Sequence, residues 1–292
     1  MRAYVEGVIG YDSNVNSATG SNQIAIPVFG GLVLTLDPTG VKQHDTFASI
    51  GGGVSVRAPI LPDLAFVANL SGTKLVNSQQ DRFDTAAVDA NAGLSYTMGA
   101  NVFGVSLQAN RFLLDNSRFR DATGVLGQWQ HNIDAVSQMS VFGQAARLSY
   151  PAQSVRDADR YVIGAGYARS FGANAPVAYG SLYLGREEER AAGVPHLGHD
   201  LTGLRLGLNW NFRPAFTAFA DTTVEQRRYG GNEPFFLATR RDEQYSLTFG
   251  LHYVPAKDWR ITPQVALVRN HSNITLFDFT RGIASVALRR EF

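Results

Sequence analysis

The stretch Gln244-Tyr245-Ser246-Leu247-Thr248-Phe249-Gly250-Leu251-His252-Tyr253 alternates polar or small residues with large apolar ones. Residues 203–212 and 103–110 repeat the same period of two. This period is typical of a β-strand that has one apolar face and one polar face. The chain therefore reads as an all-β protein, and no stretch of similar length shows the period of a helix.

The same alternation marks fourteen candidate strands along the chain, an even number. Most run for 11 to 14 residues, which is enough for tilted strands of about 9–11 residues to cross an apolar layer with their ends in water. Their predicted bounds are 3–11, 45–58, 64–76, 85–98, 101–113, 120–132, 137–149, 159–170, 176–188, 200–212, 215–228, 242–254, 258–270 and 279–292.

The predicted connections alternate between short and long. The short ones contain Leu61-Pro62-Asp63, Gly99-Ala100, Asp134-Ala135, Gly172-Ala173-Asn174, Arg213-Pro214 and Ala256-Lys257. The long ones are 12–44, 77–84, 114–119, 150–158, 189–199, 229–241 and 271–278. Short turns at one end and long loops at the other are typical of an outer-membrane barrel.

The composition excludes several classes of protein. Charged residues make up 17% of the 292 residues, compared with about 25% in soluble domains. A formal net charge of +1 argues against a nucleic-acid partner, which needs a basic surface. The absence of cysteine excludes thiol nucleophiles and cysteine-based metal sites. The longest apolar run, 24–36, is broken by Pro27 and Gly30-Gly31 and is too short to be a spanning helix.

We therefore predict a single domain over residues 1–292, a closed antiparallel transmembrane β-barrel of about fourteen strands with up-and-down topology. Closure lets every backbone group find a partner in lipid, and a dry sandwich would have to bury many charges instead. The expected location is the outer membrane of a Gram-negative bacterium, with membrane lipid as one partner. Aromatic residues near the strand ends predict the interfacial girdles: Tyr11, Tyr96, Trp129, Tyr161, Tyr167, Trp210, Phe212, Tyr245, Tyr253, Trp259 and Phe292.

The polar faces predict a wet lumen, and fourteen strands leave room for a pore. The predicted pore-lining residues are Arg57, Asn69, Asp89, Asn91, Gln108, Asn110, Arg205, Asn209, Asp221, Glu225, Arg227 and Gln264. Inward glycines should ease curvature and leave space in the lumen. The long first loop, 12–44, either plugs this pore or carries residues 24–36 as an extension of the first two strands.

Both ends of the chain carry specific motifs. Gly10-Tyr11-Asp12-Ser13-Asn14-Val15-Asn16 lies at the start, and Trp259, Ile261 and Pro263 precede Arg269-Asn270-His271-Ser272-Asn273-Ile274 near the end. Leu276-Phe277-Asp278-Phe279, Arg281 and the terminal Phe292 follow. Together these motifs resemble the barrel domain of the surface lipoprotein assembly modifier family.

The resemblance implies a translocation pore that moves a lipoprotein or a secreted protein to the cell surface. It also implies that a periplasmic helical-repeat domain and a signal peptide precede the barrel in the full-length protein. Phe292 resembles the signal that the barrel-assembly machinery reads.

Two alternatives stay open. The first is a passive porin or an exopolysaccharide-export barrel. The second, a barrel hydrolase, would have to use His252 and Ser272, for which the sequence offers no third partner. We predict no catalytic residue, no cofactor and no metal site, because the sequence has no nucleophile elbow, no phosphate loop and no complete calcium loop.

Overall fold

The computed structural model describes residues 1–172 and 175–292, which form sixteen β-strands and five short 3-10 turns. Ala173 and Asn174, in one predicted short turn, lie outside the described residues. The strands are β1 (Arg2–Asp12), β2 (Gln23–Ile26), β3 (Leu32–Thr35), β4 (Asp45–Leu61), β5 (Leu64–Asn77), β6 (Thr85–Met98), β7 (Asn101–Leu114), β8 (Ser117–Asn132), β9 (Ser137–Ser149), β10 (Ala158–Ser170), β11 (Val177–Glu189), β12 (His199–Arg213), β13 (Phe216–Glu233), β14 (Ala238–Ala256), β15 (Trp259–Ser272) and β16 (Phe279–Glu291).

Fourteen of the strands in the described part of the chain close one antiparallel barrel. From β4 to β16 each strand pairs with its neighbours in sequence, and β1 closes the ring between β4 and β16. The remaining two, β2 and β3, form a separate small sheet. The predicted closed up-and-down barrel is confirmed.

In the part of the chain that the structure describes, each helical segment is too short or too polar to cross a membrane.

The outer face of the barrel is apolar. Ile9, Leu107, Ile163 and Leu182 are each at least 60% exposed, although they lie in the middle of long strands. The register places nine of the eleven predicted girdle aromatics on this face. The other two follow them, since Phe212 stacks on outward Phe216 and the Phe292 backbone pairs with outward Ala3. Such a surface is stable when it faces lipid, since water would make its exposure costly.

The loops and turns are sorted to opposite ends, which we call the loop end and the turn end. The two chain termini lie at the turn end, together with the connections 62–63, 99–100, 133–136, 214–215 and 257–258. The connections 13–44, 78–84, 150–157, 190–198 and 273–278 lie at the loop end. The predicted sorting therefore holds for these connections, with two corrections.

The first correction concerns the predicted long loop 114–119. It is a two-residue turn, since Asp115 and Asn116 both adopt positive φ (50° and 57°) and β8 already starts at Ser117. Two consecutive residues of positive φ form the turn that best matches the twist of a hairpin, and Asp and Asn tolerate that conformation.

The second correction concerns the predicted loop 229–241, which shrinks to residues 234–237. The prediction places Gly230 and Gly231 in this loop, but both belong to β13. A Cβ atom at Gly231 would lie 2.8 Å from the Pro195 ring, so the glycine makes room for the adjacent 190–198 connection.

The first loop does not extend the barrel strands. β1 ends at Asp12 and β4 begins at Asp45, and residues 23–35 fold into the hairpin of β2 and β3. The expectation that residues 24–36 lengthen the first two strands is therefore wrong. Ile24 and Ile26 are buried, and the Val28 N–H donates to the Phe235 carbonyl at 3.2 Å. Because Phe235 joins β13 to β14, the hairpin reaches over part of the loop-end mouth.

Charged and polar side chains hold β1 against β16 at the loop end. The Arg281 guanidinium donates to the Asp12 carboxylate at 2.5 and 2.9 Å, and the Asp12 side chain is only 4% exposed. Ser13 Oγ accepts from the Gly282 N–H at 2.8 Å, and Asn14 Nδ2 donates to the Thr280 carbonyl at 2.9 Å. Both terminal motifs thus contribute to this group, which we call the seam latch (Asp12, Ser13, Asn14, Thr280, Arg281, Gly282).

We expect Asp12→Asn to destabilise the barrel by about 3–5 kcal/mol, because it leaves the Arg281 charge without its buried partner. The matched control is Asp200→Asn, whose ion pair with Arg186 has side chains that are 60% and 57% exposed, so its loss should leave the stability nearly unchanged. Urea unfolding in detergent micelles, followed by circular dichroism, measures both. Equal losses in the two variants would show that the latch does not hold the seam.

Candidate functional site

The barrel's inner wall is its candidate functional site. Hydrogen bonds that skip a strand identify this concave face: Tyr183 on β11 donates to Glu225 on β13 at 2.8 Å, and Tyr179 donates to Asp221. Both pairs reach over β12, which is possible only on the inside of a curved sheet. The register then assigns every other residue of each barrel strand to the lumen.

The register places all twelve predicted pore-lining residues on this inner face. Asn69, Asp89, Asn91, Gln108 and Asn110 lie on β5 to β7, and Arg205, Asn209, Asp221, Glu225 and Arg227 lie on β12 and β13. Arg57 and Gln264 lie on β4 and β15. That these side chains line a conducting pore stays a prediction.

One half of the inner wall is almost uncharged. Asp89 and Arg120 are the only charged inward residues of β5 to β9, a region that the structure describes in full. Carboxamides are its most numerous polar side chains, and nine of them form what we call the amide face: Asn69, Asn91, Gln108, Asn110, Gln128, Gln130, Asn132, Gln138 and Gln144.

The amide face is ordered by hydrogen bonds between its own side chains. Asn69 Nδ2 donates to Asn91 Oδ1 at 2.9 Å, and Gln144 Nε2 donates to Gln108 Oε1 at 2.6 Å across β8. Asn110 Nδ2 donates to the Asp89 carboxylate at 2.8 Å. A recess of about 250 Å³ opens among these groups. Each carboxamide offers both donors and acceptors, so this wall can bind a neutral polar chain.

The opposite half of the wall, on β10 to β14, carries paired charges. Arg227 lies 2.5 Å from Glu225, and Arg205 lies 3.5 Å from Asp221. Nearer the loop end, Arg240 lies 2.5 Å from the fully buried Asp242. The lumen is therefore divided into a neutral hydrogen-bonding wall and a wall of ion pairs.

Aromatic rings lie flat on this inner wall because glycines face them. A Cβ atom at Gly203 or Gly207 would overlap the ring of Tyr183 or Tyr179. Gly10, Gly53, Gly164 and Gly250 lie in the same way beneath Phe47, Tyr4, Phe142 and Phe219. These glycines seat the rings against the wall, a known device in curved sheets, and keep them out of the central space.

The loop-end mouth carries the β2–β3 hairpin. The Thr39 backbone N–H donates to the Asp37 carboxylate at 2.8 Å, which lowers the pKa of that carboxyl below its usual value. The turn that returns the chain to β4 therefore stays hydrogen-bonded at neutral pH.

The structure separates the two residues that a hydrolase would need. His252 Nδ1 bonds Thr262 Oγ1 at 2.9 Å and its ring stacks on Phe219, near the turn end. Ser272 lies at the loop end of β15, where its hydroxyl accepts from the Ile274 N–H. Among residues 1–172 and 175–292, His, Asp and Glu side chains form no group of three that could hold a metal ion.

Sequence reasoning missed the contacts that organise the wall. The sequence does not indicate a role for Tyr179 or Tyr183, because their acidic partners lie two strands away. Asp12 and Arg281 stand out in the sequence only as parts of the terminal motifs, although they pair across the closure. Their opposite charges at the ends of the first and last strands were a signal that could have found this pair.

Comparisons agree with this geometry. Solved structures similar in fold include the Pseudomonas putida toluene transporter TodX, at 12% identity, with a TM-score of 0.50, over 100% of this chain and 90% of that one. A Pseudomonas aeruginosa FadL homologue shows 9% identity and a TM-score of 0.51 over 99% and 89% of the two chains. Among curated proteins, none matches the sequence. At these identities the likeness concerns the fold alone.

The fold and its lipid-facing surface define an outer-membrane β-barrel protein. The family model described as surface lipoprotein assembly modifier matches residues 63–292, which include β5 to β16. The chain therefore belongs to the surface lipoprotein assembly modifier family, as its terminal motifs predict. A Gram-negative outer membrane follows as its location.

We expect Gly207→Ala to destabilise the barrel by about 1–3 kcal/mol, because the new Cβ atom displaces Tyr179 from the wall. Gly127→Ala is the matched control: open space surrounds Gly127, and the change should stay within about 0.5 kcal/mol. The unfolding midpoint of each variant in urea tests this. If Gly207→Ala is as stable as the control, Tyr179 does not depend on the glycine for its place.

Proposed function

We propose that this barrel is the outer-membrane pore through which a lipoprotein or a secreted protein reaches the cell surface. Membership of the surface lipoprotein assembly modifier family supports the type of cargo. The amide face is the structural observation that supports the proposal. The twelve predicted residues would line the path of the cargo.

The amide face suits an unfolded polypeptide for a physical reason. A chain inside a narrow lumen must find partners for its backbone N–H and C=O groups, and Asn and Gln side chains supply both acceptors and donors. Inward side chains along one strand repeat every 6.8 Å or so, as do the groups on one side of an extended peptide. Because it is almost uncharged, this wall favours neither acidic nor basic segments of the cargo.

A passive pore for ions or for polysaccharide is the second candidate, because carboxamides also bind sugar hydroxyls and the wall opposite is polar. Steady conductance of the isolated barrel in planar bilayers would favour the passive pore. The translocation proposal expects the loop-end hairpin to keep the resting conductance low.

Phe292 is proposed to serve as the signal for the barrel-assembly machinery. Its ring lies on the outer face and is 65% exposed, while its backbone exchanges two hydrogen bonds with Ala3. The backbone of Phe292 therefore helps to close the seam, while its ring remains accessible to the barrel-assembly machinery.

The test uses the full-length protein and its co-encoded lipoprotein in a Gram-negative host. We expect the triple variant Asn91→Leu, Gln108→Leu, Asn110→Leu to reduce surface exposure of the lipoprotein at least about tenfold, since each lost hydrogen bond costs about 1 kcal/mol. The matched control, Asn91→Gln, Gln108→Asn, Asn110→Gln, keeps all three carboxamides and should retain exposure. Antibody labelling of intact cells measures both, with barrel abundance checked by blotting.

Normal exposure in the leucine variant would contradict the role of the amide face. Absence of exposure with the unaltered protein, for every co-encoded lipoprotein, would contradict the translocation function itself.

A further inference from the structure

A long apolar groove of about 990 Å³ runs across the outer face of the barrel. It crosses six neighbouring strands, from β13 through β14, β15, β16 and β1 to β4. One row of its outward residues is Phe249, Val265, Ala284 and Tyr11, which pair in register from strand to strand. A second row is Leu251, Pro263, Val286 and Ile9.

The groove owes its depth to small residues placed between large ones. In the first row, Ala284 stands between Val265 and Tyr11, and Phe249 closes the row on the other side. The floor between the two rows is backbone, because the residues there, such as Gly10 and Gly250, face the lumen. Ile9 is 67% exposed and forms part of the rim.

The groove connects the two ends of the barrel. At β4 it includes Thr46, the second residue of that strand from the loop end. At β13 it includes Ala218, the third residue from the turn end. Because barrel strands are tilted, a path perpendicular to them descends from one membrane surface toward the other.

The groove also passes over the seam between β1 and β16. Two strands from the seam, the pairing of β14 with β15 is interrupted between Gly250↔Gln264 and Tyr253↔Ile261, where Pro263 has no N–H to donate. Directly above, toward the loop end, a recess of about 370 Å³ includes the polar residues Ser13, Tyr245, Arg269 and Thr280. The apolar groove thus lies next to a smaller recess that carries several polar side chains.

We infer that this groove binds the acyl chains of a lipid-modified polypeptide while the polypeptide itself uses the lumen. The inference rests on the proposed function, and it commits to the diacylated N-terminal cysteine of a lipoprotein as the occupant. The apolar groove suits the acyl chains, and the polar recess suits the ester and amide groups that join them to the peptide. The groove runs along the lipid-facing side of the barrel from near the loop end to near the turn end. The acyl chains would therefore stay in an apolar environment along its whole length.

The binding test uses the purified full-length protein in detergent micelles and a fluorescent peptide whose N-terminal cysteine carries two palmitoyl chains. We expect Ala284→Trp to weaken binding at least about tenfold, because the indole fills the groove and removes several methylene contacts. Ala92→Trp is the matched control, an exposed outward alanine in the middle of β6, and should bind as the unaltered protein does. Ala218→Trp is a second obstruction, should Ala284→Trp fail to fold.

Two further arms identify the occupant. The unacylated peptide should bind at least about tenfold more weakly to the unaltered protein. Dipalmitoyl phosphatidylglycerol has the same chains and esters but lacks the amide and the peptide, so it should compete at least about tenfold more weakly than the unlabelled lipopeptide. Equal binding by the obstructed and control variants, or full competition by the phospholipid, would overturn the inference.

A cell experiment separates this inference from the translocation proposal. Ala284→Trp should reduce surface exposure of the acylated partner but not of a secreted version that lacks the acylated cysteine. If the unaltered protein exposes neither version, the translocation proposal fails, whereas the binding test still decides whether the groove holds acyl chains.

Discussion

Backbone hydrogen bonding in a medium without water is the constraint on which this structure depends. An unpaired N–H or C=O group in lipid costs several kcal/mol, so a sheet that crosses a membrane has to close. Here closure depends on the pairing of β1 with β16, from Tyr4↔Glu291 to Asp12↔Ile283. The seam latch stabilises the loop end of that pairing, and the bonds between Ala3 and Phe292 complete its turn end.

Once the barrel is closed, each strand has an inside and an outside, and the chemistry of the two faces follows. The outer face is apolar and contains the groove that crosses the seam. The inner face divides into the amide face and the ion-paired wall opposite, with the rings of Tyr179 and Tyr183 held flat over Gly207 and Gly203. The polypeptide of a lipoprotein would therefore contact the inner face of the barrel, and its acyl chains would contact the outer face.

The period of two predicts the strands, their faces and the sorting of most connections, because it reflects a local rule about side-chain direction. It could not predict the Asp115-Asn116 turn, since positive φ at two residues is decided by strand twist. The pattern also could not predict that β13 continues through Gly231. That glycine is needed because Pro195, in the 190–198 connection, packs against it. The Tyr179–Asp221 bond arises only because the sheet curves around β12, and the outer groove forms only when β1 and β16, distant in sequence, become neighbours.

Cysteine scanning of residues 244–253 on β14 tests the central claim most directly, because the chain has no cysteine of its own. Single cysteines are introduced into the full-length protein in liposomes and treated with a water-soluble maleimide. The closed barrel predicts labelling that alternates along the strand, strong at Gln244, Ser246 and Thr248 and weak at Tyr245, Leu247 and Phe249. Uniform labelling of all six positions, or the opposite phase, would contradict a barrel with a wet interior and a lipid-facing exterior.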